Sequence, residues 1–343
     1  MFGNDPTTSI SVTIDDVAKA AGVSIRTVSR VINASPKVGE ETRVAVQAII
    51  TQMGYSPSSR ARALASGRSY LIAVVQDDPN AQVIGALQRG IFEICTQHGY
   101  ELVVHPVRFN DPNVALEIET FVRRSRVDGL IVLPPASEIA AIPERLTALG
   151  VPSIGIASIS VPAYPGMLIS DDRAATARLG QHLLDLGHRR IAMIEGPSHF
   201  RSAQERKAGF VKALESSGLD IDLQLRQGDY GFESGLASAQ ALLSLPTPPT
   251  AIFACNDIMA AAVVKAARER GVSMPGQLSV AGFDDSDLAS MISPALTTIR
   301  RPLFDMAKAA TEQLLRMIAE QGYALPHRTL DLTLVCRQST GRA

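Results

Sequence analysis

Cysteine is scarce in this chain, and its placement excludes two roles. The three cysteines among 343 residues, Cys95, Cys255 and Cys336, stand far apart. Their spacing matches neither a zinc-ligand pattern nor a disulfide framework, so no metal is expected. No apolar run approaches the ~20 residues of a membrane span. Residues 1–12 lack the basic start and apolar stretch of a secretory signal and read as a disordered leader, so the expected compartment is the cytoplasm. Catalytic signatures are missing too: there is no G-x-G-x-x-G, no G-x-x-x-x-G-K-S/T, no H-E-x-x-H and no G-x-S-x-G. The six histidines are scattered, and His188 falls in a turn where capping is its expected job. These absences argue against an enzyme, and neither catalytic residues nor a cofactor are expected. No heptad tail follows the last apolar strand at 329–336, which favours a homodimer over a four-chain assembly.

What is present begins with an uneven charge. Residues 1–68 hold eight basic and five acidic side chains, a net of +3, whereas the whole chain is −1, leaving −4 for the rest. No acid occurs from Ser56 to Arg68. A basic head on a near-neutral body is the expected sign for contact with a polyanion.

Within that head, residues 13–33 read as two short helices around a tight turn. Thr13 has N-cap chemistry and Asp16, three residues on, completes a near capping box. Val17, Ala18 and Ala21 recur at helical spacing, Gly22 can leave a helix with positive φ, and Ser24 caps a second helix striped by Val28, Val31 and Ile32. A third helix is expected from about Glu40, with Val44, Ala48 and Met53 closing a small core. Two helices joined by a glycine-containing turn form a helix-turn-helix, whose second helix enters the major groove. Ile25, Arg26, Ser29 and Arg30 are its exposed positions. Arginine can donate two hydrogen bonds to guanine and isoleucine can touch a thymine methyl, while Ser24, Ser29 and Asn33 suit phosphate oxygens. On pattern alone the same hairpin could serve protein contact, with its arginines a solvated face.

Residues 56–65 follow a similar logic. Pro57 suits the first turn of a helix, and the two turns after it are too short to be stable alone in water. Leu64 is an apolar side chain in a basic segment, as in proteins that wedge a side chain into a minor-groove base step. A linker whose leucine packs on the next domain is the other reading.

The pieces V-A-x-x-A-G-V-S, T-V-S-R-V-I-N, E-E-T-R and G-Y-x-P occur here in order. In this the chain resembles the LacI/GalR family of transcriptional regulators. The resemblance implies that Ile25, Arg26 and Arg30 choose the operator sequence. It also implies that Ala61 and Leu64 belong to a hinge signature whose leucine enters the central operator step.

After Arg68, β-rich runs alternate with amphipathic helices: strands at 71–76, 100–106, 129–133, 152–157, 191–195, 251–254 and 278–283, and helices at 83–98, 173–186, 204–216 and 257–270. That alternation predicts parallel sheets covered on both faces, with ligand at the carboxyl ends of the strands. The expected fold class is therefore an α/β core of two doubly wound parallel-sheet lobes, preceded by an all-α helix-turn-helix headpiece. The phrases G-H-R-R-I from Gly187, P-T-A-I-F from Pro249 and P-A-L-T-T-I from Pro294 extend the resemblance to the end of the chain, which implies a periplasmic-binding-protein-like core. The expected division is a headpiece at 13–55, a hinge and linker at 56–69, a first lobe at 70–165 plus 300–330, and a second lobe at 166–299 plus 331–343.

Arg206, Asn256 and Asp284 lie at or near strand ends, where an arginine, an amide and a carboxylate could engage a ring of hydroxyls, and Tyr230 could cover an apolar ring face. Each has a plainer use, as a helix cap or strand terminator. The resemblance implies that all four contact an effector. Val83 and Ile84 stand where purine-binding members carry aromatics, Phe200 where those members carry a base-reading arginine, and Ala157 where many sugar-responsive members carry an acid. Asp77 and Asn80 are the available first-lobe substitutes for that acid. The resulting expectation is a repressor that binds a pseudo-palindromic DNA operator and is switched by a small-molecule effector, a carbohydrate, held near Asp77, Asn80, Phe200, Arg206, Tyr230, Asn256 and Asp284.

Overall fold

The computed structural model describes residues 12–32, 35–55, 67–77, 81–320, 322–323 and 325–343. The chain divides into two compact units, one ending at Tyr70 and one running from Leu71 to Ala343.

The first unit holds α1 (Ile14–Ala20), α2 (Ile25–Ile32) and α3 (Glu40–Gln52). Thr13 caps α1 in a full capping box: its hydroxyl accepts from Asp16 N–H, and the Asp16 carboxylate accepts from Thr13 N–H at 2.9 Å. Gly22 turns the chain with φ +64°, a conformation costly to residues with a Cβ. Ser24 Oγ then accepts from Thr27 N–H at 3.1 Å, which satisfies an orphan donor at the start of α2. Val17, Val28, Val31, Val46 and Ile50 form the buried centre. Here one expectation is corrected. Val44 is 60% exposed and Ala48 also faces outward. The core face of α3 is carried by Val46 and Ile50, one helical turn apart, flanked by Ile49 and Met53.

The second unit contains two six-stranded sheets. The first is built from β1 (Leu71–Gln76), β2 (Glu101–Pro106), β3 (Gly129–Val132), β4 (Ser153–Ala157), β5 (Met167–Ser170) and β11 (Arg328–Leu330), in the order β11-β5-β4-β3-β1-β2. The second holds β6 (Arg190–Glu195), β7 (Asp222–Gln227), β8 (Ala251–Ala254), β9 (Ser279–Asp284), β10 (Thr297–Arg300) and β12 (Thr333–Val335), in the order β12-β10-β9-β8-β6-β7. All pairings are parallel except β10 with β12. Central strands such as β1 are apolar on both sides because both faces are covered. Ala73 and Val75 pack toward α5 (Val114–Ser125) and α6 (Ala141–Ala148). Ile72 and Val74 pack toward α4 (Ala81–Gln97) and α12 (Leu303–Ala319). The second sheet is covered by α7 (Asp172–Asp185), α8 (Arg201–Glu215), α9 (Phe232–Leu243) and α10 (Asp257–Glu269), with the short α11 (Asp287–Met291) after β9. Among the described residues no helix is long and apolar enough to cross a membrane.

Two boundaries differ from expectation. The first lobe extends past residue 165, because the fully buried β5 pairs with β4, Ile156 facing Leu168; the chain crosses to the second lobe only after Ser170. Residues 329–336 are not one strand. β11 pairs with β5 in the first sheet and β12 with β10 in the second, and the buried Leu332 sits at the crossing between them. The remaining crossing lies between Arg300 and Leu303.

Candidate functional site

The exposed face of α2 is one candidate surface. Val28 and Val31 are buried on its inner side, leaving Ser24, Ile25 and Arg26 exposed and Ser29 and Arg30 half-buried. Ile25 is 47% exposed although its side chain is apolar. The helix has no acidic residue, and among the described residues neither Arg26 nor Arg30 has an ion-pair partner. By contrast Lys19 of α1 is paired with Asp15, and Arg43 Nη2 donates to Ser35 O at 2.9 Å. The two cations of α2 therefore have their donors available for an outside partner. Asn33, Ala61 and Leu64 lie outside the described residues.

The second candidate lies between the two sheets of the core, at the carboxyl ends of their strands. A cavity of about 30 Å³ is walled by Phe200, Arg206, Tyr230, Asn256, Asp284 and Arg301, with Val83 and Pro134 on the first-lobe side. Val83, Asp284 and Arg301 also line an outer cavity of about 530 Å³, bounded by the starts of α4 and α12.

Arg206 anchors the wall. It is 3% exposed, its Nε donates to Asp172 Oδ2 at 2.8 Å, its Nη1 donates to Cys255 O at 2.5 Å, and its guanidinium lies 3.6 Å from the Phe283 ring centre. Asp172, at the start of α7, is positioned in turn by Ser170 Oγ, which donates to its other oxygen at 2.6 Å. Burial of such a charge is tolerable only with compensation of this kind. Tyr230 and Asp284 have left-handed backbones at φ +69° and +108°. For residues with a Cβ this is strain, and strain of that kind concentrates at functional sites. Tyr230 Oη lies 3.3 Å from Ser202 Oγ.

Asp284 Oδ1 sits 3.8 Å from Arg206 Nη2 and 3.6 Å from Arg301 Nε. Burial pushes its carboxyl above the usual carboxylate range, against the pull of Arg301 and Arg206. Asp257, behind it, is raised to about 7 by burial and by the Asp284 charge, although Thr298 Oγ1 donates to it at 2.6 Å. Glu138 belongs to the first lobe but lies against the backbone of Arg201 at the start of α8. Burial raises it to about 7, and its Oε1 has no hydrogen-bond partner among the described residues. Phe109 of the first lobe stacks on His199 with centroids 5.2 Å apart and meets Phe200 edge-on at 5.3 Å, closing the same side of the cleft.

Five of the effector positions expected from the sequence are thereby located at the cavity: Phe200, Arg206, Tyr230, Asn256 and Asp284. Asn256 doubles as the cap of α10, accepting from Met259 N–H while its amide donates to Tyr230 O at 2.9 Å. Asp77 is corrected. It is not in the cavity wall, because its carboxylate accepts from Phe109 N–H at 2.6 Å and ties down the loop after β2. Asn80 lies outside the described residues. Ile84 is core, and His188 is a buried strut between Thr250 Oγ1 and Ser279 Oγ rather than a turn cap. Asp172, Glu138 and Arg301 were not anticipated. Asp172 and Arg301 sit within two residues of a strand end, and that position was the available signal; Glu138 closes a short helical turn at Ala136–Glu138 and had none.

Two family models match the chain: bacterial regulatory proteins of the lacI family over residues 13–58, and a periplasmic-binding-protein-like domain over residues 181–340. The HTH-type transcriptional regulator DegA of Bacillus subtilis (strain 168) is 36% identical over 299 residues, covering 86% of this chain and 88% of that protein. A crystal structure of the lac repressor dimer bound to operator and the anti-inducer ONPF superposes with a TM-score of 0.81 at 29% identity, covering 96% of this chain and 99% of that one. A complex of the transcriptional regulator CelR with cellobiose superposes at 0.69 and 27% identity, with the same coverage. The chain belongs to the lacI family of bacterial regulatory proteins.

Proposed function

We propose that the chain is a transcriptional repressor, acting in the cytoplasm as a homodimer on a pseudo-palindromic operator and switched by a carbohydrate bound between the core lobes. It is a regulator and not an enzyme. The observation that carries this reading is the convergence of Arg206, Asn256 and Asp284 on one inter-lobe cavity, in a chain that also presents an acid-free helix whose two arginines have no ion-pair partner among the described residues. Ile25, Arg26 and Arg30 read base edges, and Ser24 and Ser29 hold phosphates. Asn33 joins the phosphate contacts, and Ala61 and Leu64 form the hinge that opens the central minor groove. Phe200 and Tyr230 offer ring faces to the apolar side of a sugar.

A pyranose is far larger than the inner cavity, so binding requires the lobes to separate or the aromatic side chains to move. Effector that favours one lobe arrangement then shifts the equilibrium that sets operator affinity.

The test is selection of an operator from random DNA by the full chain, followed by titration of that complex with a sugar panel while anisotropy is read. At least one sugar should change operator affinity by ~10-fold or more, the usual size of such coupling. Unchanged affinity at saturation of every sugar would instead favour an operator binder whose core has lost its ligand, a reading that the small inner cavity also suits. On the DNA side, Arg30→Ala should cost ~1–3 kcal/mol and relax the preference at one base position. A uniform loss across all sequences would assign Arg30 to phosphate instead.

A further inference from the structure

Arg301 differs from Arg206, Arg300 and Arg337 around the cleft. Arg206 is hydrogen-bonded to Asp172 and to Cys255 O. Arg300 and Arg337 both pair with Asp285, each at 2.6 Å. Arg301 is largely buried, its side chain being 9% exposed, yet it borders a cavity. Its nearest carboxylate oxygen, Asp284 Oδ1, is 3.6 Å from Nε, outside hydrogen-bond range. Neither that Nε nor that Oδ1 has a hydrogen-bond partner among the described residues. Arg301 borders both the inner and the outer cavity, and Asp284 is the acid of both walls nearest to it.

A guanidinium carries five N–H donors and no acceptor. Leaving the buried Nε donor unmade is costly, so the position suits a ligand that supplies acceptors in the plane of the guanidinium. A carboxylate supplies two coplanar oxygens and pairs with arginine through two parallel hydrogen bonds. A ring hydroxyl supplies one oxygen, whose own proton must be placed elsewhere. A doubly charged phosphate fits less well than a carboxylate, because the Asp284 oxygen 3.6 Å from Arg301 Nε repels two charges more strongly than one.

We propose that Arg301 anchors a carboxylate of the effector, so that the cavity selects a sugar acid, a uronate or an aldonate, over the neutral sugar of the same stereochemistry. This rests on the reading that the cavity takes a carbohydrate, and it names the class within it. The carboxylate sits at the junction of the two cavities. The sugar hydroxyls face Asn256 and Asp284, and Asp284 stays on the Nε edge of Arg301.

The test is calorimetry on the full chain with matched pairs: D-glucuronate with D-glucose, D-galacturonate with D-galactose, and D-gluconate with D-glucitol, plus glucose 6-phosphate. At least one acid should bind ~10-fold or more tightly than its neutral partner, as a charge-assisted bidentate pair predicts. Arg301→Gln should erase that preference, weakening the acid by ~10- to 100-fold while shifting the neutral partner by no more than about threefold. Arg301→Lys should retain part of the preference, since it keeps the charge and loses the fork. The wild-type comparison of acid with neutral partner stands even if neither variant folds. A neutral sugar binding as tightly as its acid overturns the carboxylate anchor and leaves the carbohydrate reading intact. Preferential binding of glucose 6-phosphate does the same. Failure of every probe to bind overturns the anchor and counts against the carbohydrate reading as well.

Discussion

The two core lobes share one strand order but differ in chemistry. In each sheet the chain runs in the same spatial sequence, and a late strand, β11 or β12, closes the edge. Yet the second lobe supplies Arg206, Tyr230, Asn256 and Asp284 to the cavity, while the first supplies mainly Val83 and Pro134. Both lobes therefore have the architecture for a site, and the polar side chains that wall the cavity come mainly from the second. The first lobe acts more as a cover, with Phe109 and Glu138 meeting the second lobe at its rim. Arg301 stands at the crossing between lobes, where a change in their relative setting reaches it directly.

The largest expected break in this comparison comes from Arg206→Met. Asp172 would be left as a buried carboxylate without its cation and Asp284 would keep only Arg301, at a cost of ~3–5 kcal/mol in denaturant-measured stability. A loss below ~1 kcal/mol would mean that the second lobe does not depend on its charge cluster. A smaller effect tests the architecture the lobes share. A Cβ on Gly209 would lie 2.0 Å from Arg173 O, and one on Gly90 would lie 2.4 Å from Phe304 O. Each glycine lets two helices of its own lobe touch, so Gly209→Ala and Gly90→Ala should each cost ~1–3 kcal/mol. A marked cost in only one lobe would show that the likeness stops at the strand order.

The smallest effect concerns the rim. Glu138 is raised from 4.5 to about 7 by burial, so the folded state binds its proton more tightly than the unfolded chain. Its contribution to stability is therefore full below about 4.5 and is lost as pH rises through about 7. Thermal melts between those limits should show stability falling as pH rises, and Glu138→Gln should flatten the slope by roughly 1–2 kcal/mol across the window. Asp257 shares the direction and the value. A slope unchanged in Glu138→Gln would assign the effect to the buried pair Asp257 and Asp284, both also raised, and remove Glu138 from it.

Much of the headpiece was legible because its signals are local. Thr13 with Asp16, Gly22 and Ser24 each act within three or four residues of the groups they satisfy. The α3 face was misread because Val44 and Ala48 are apolar at helical spacing, as Val46 and Ile50 are. Apolar spacing alone cannot choose between two faces, and only the packing of α1 and α2 selects one. In the core the alternation of strand and helix was readable, but the sheet to which a strand belongs was not. Nothing in Met167-Leu168-Ile169-Ser170 distinguishes a strand of the first lobe from one of the second until β4 pairs with it. Likewise 329–336 is a continuous β-rich run in which two short segments find partners in different sheets.

The sequence by itself determined the element types, the capped helix-turn-helix and the set of polar residues available at strand ends. Tertiary structure alone decided that Asp77 serves a loop while Asp172, thirty-four residues before Arg206, becomes its partner. It also decided that Arg301 reaches the cavity with its Nε lacking a hydrogen-bond partner among the described residues. The physical reason is range. Helix, strand and cap are set by neighbours within a few residues, whereas a buried charge is defined by whichever groups the sheets bring to it from far along the chain.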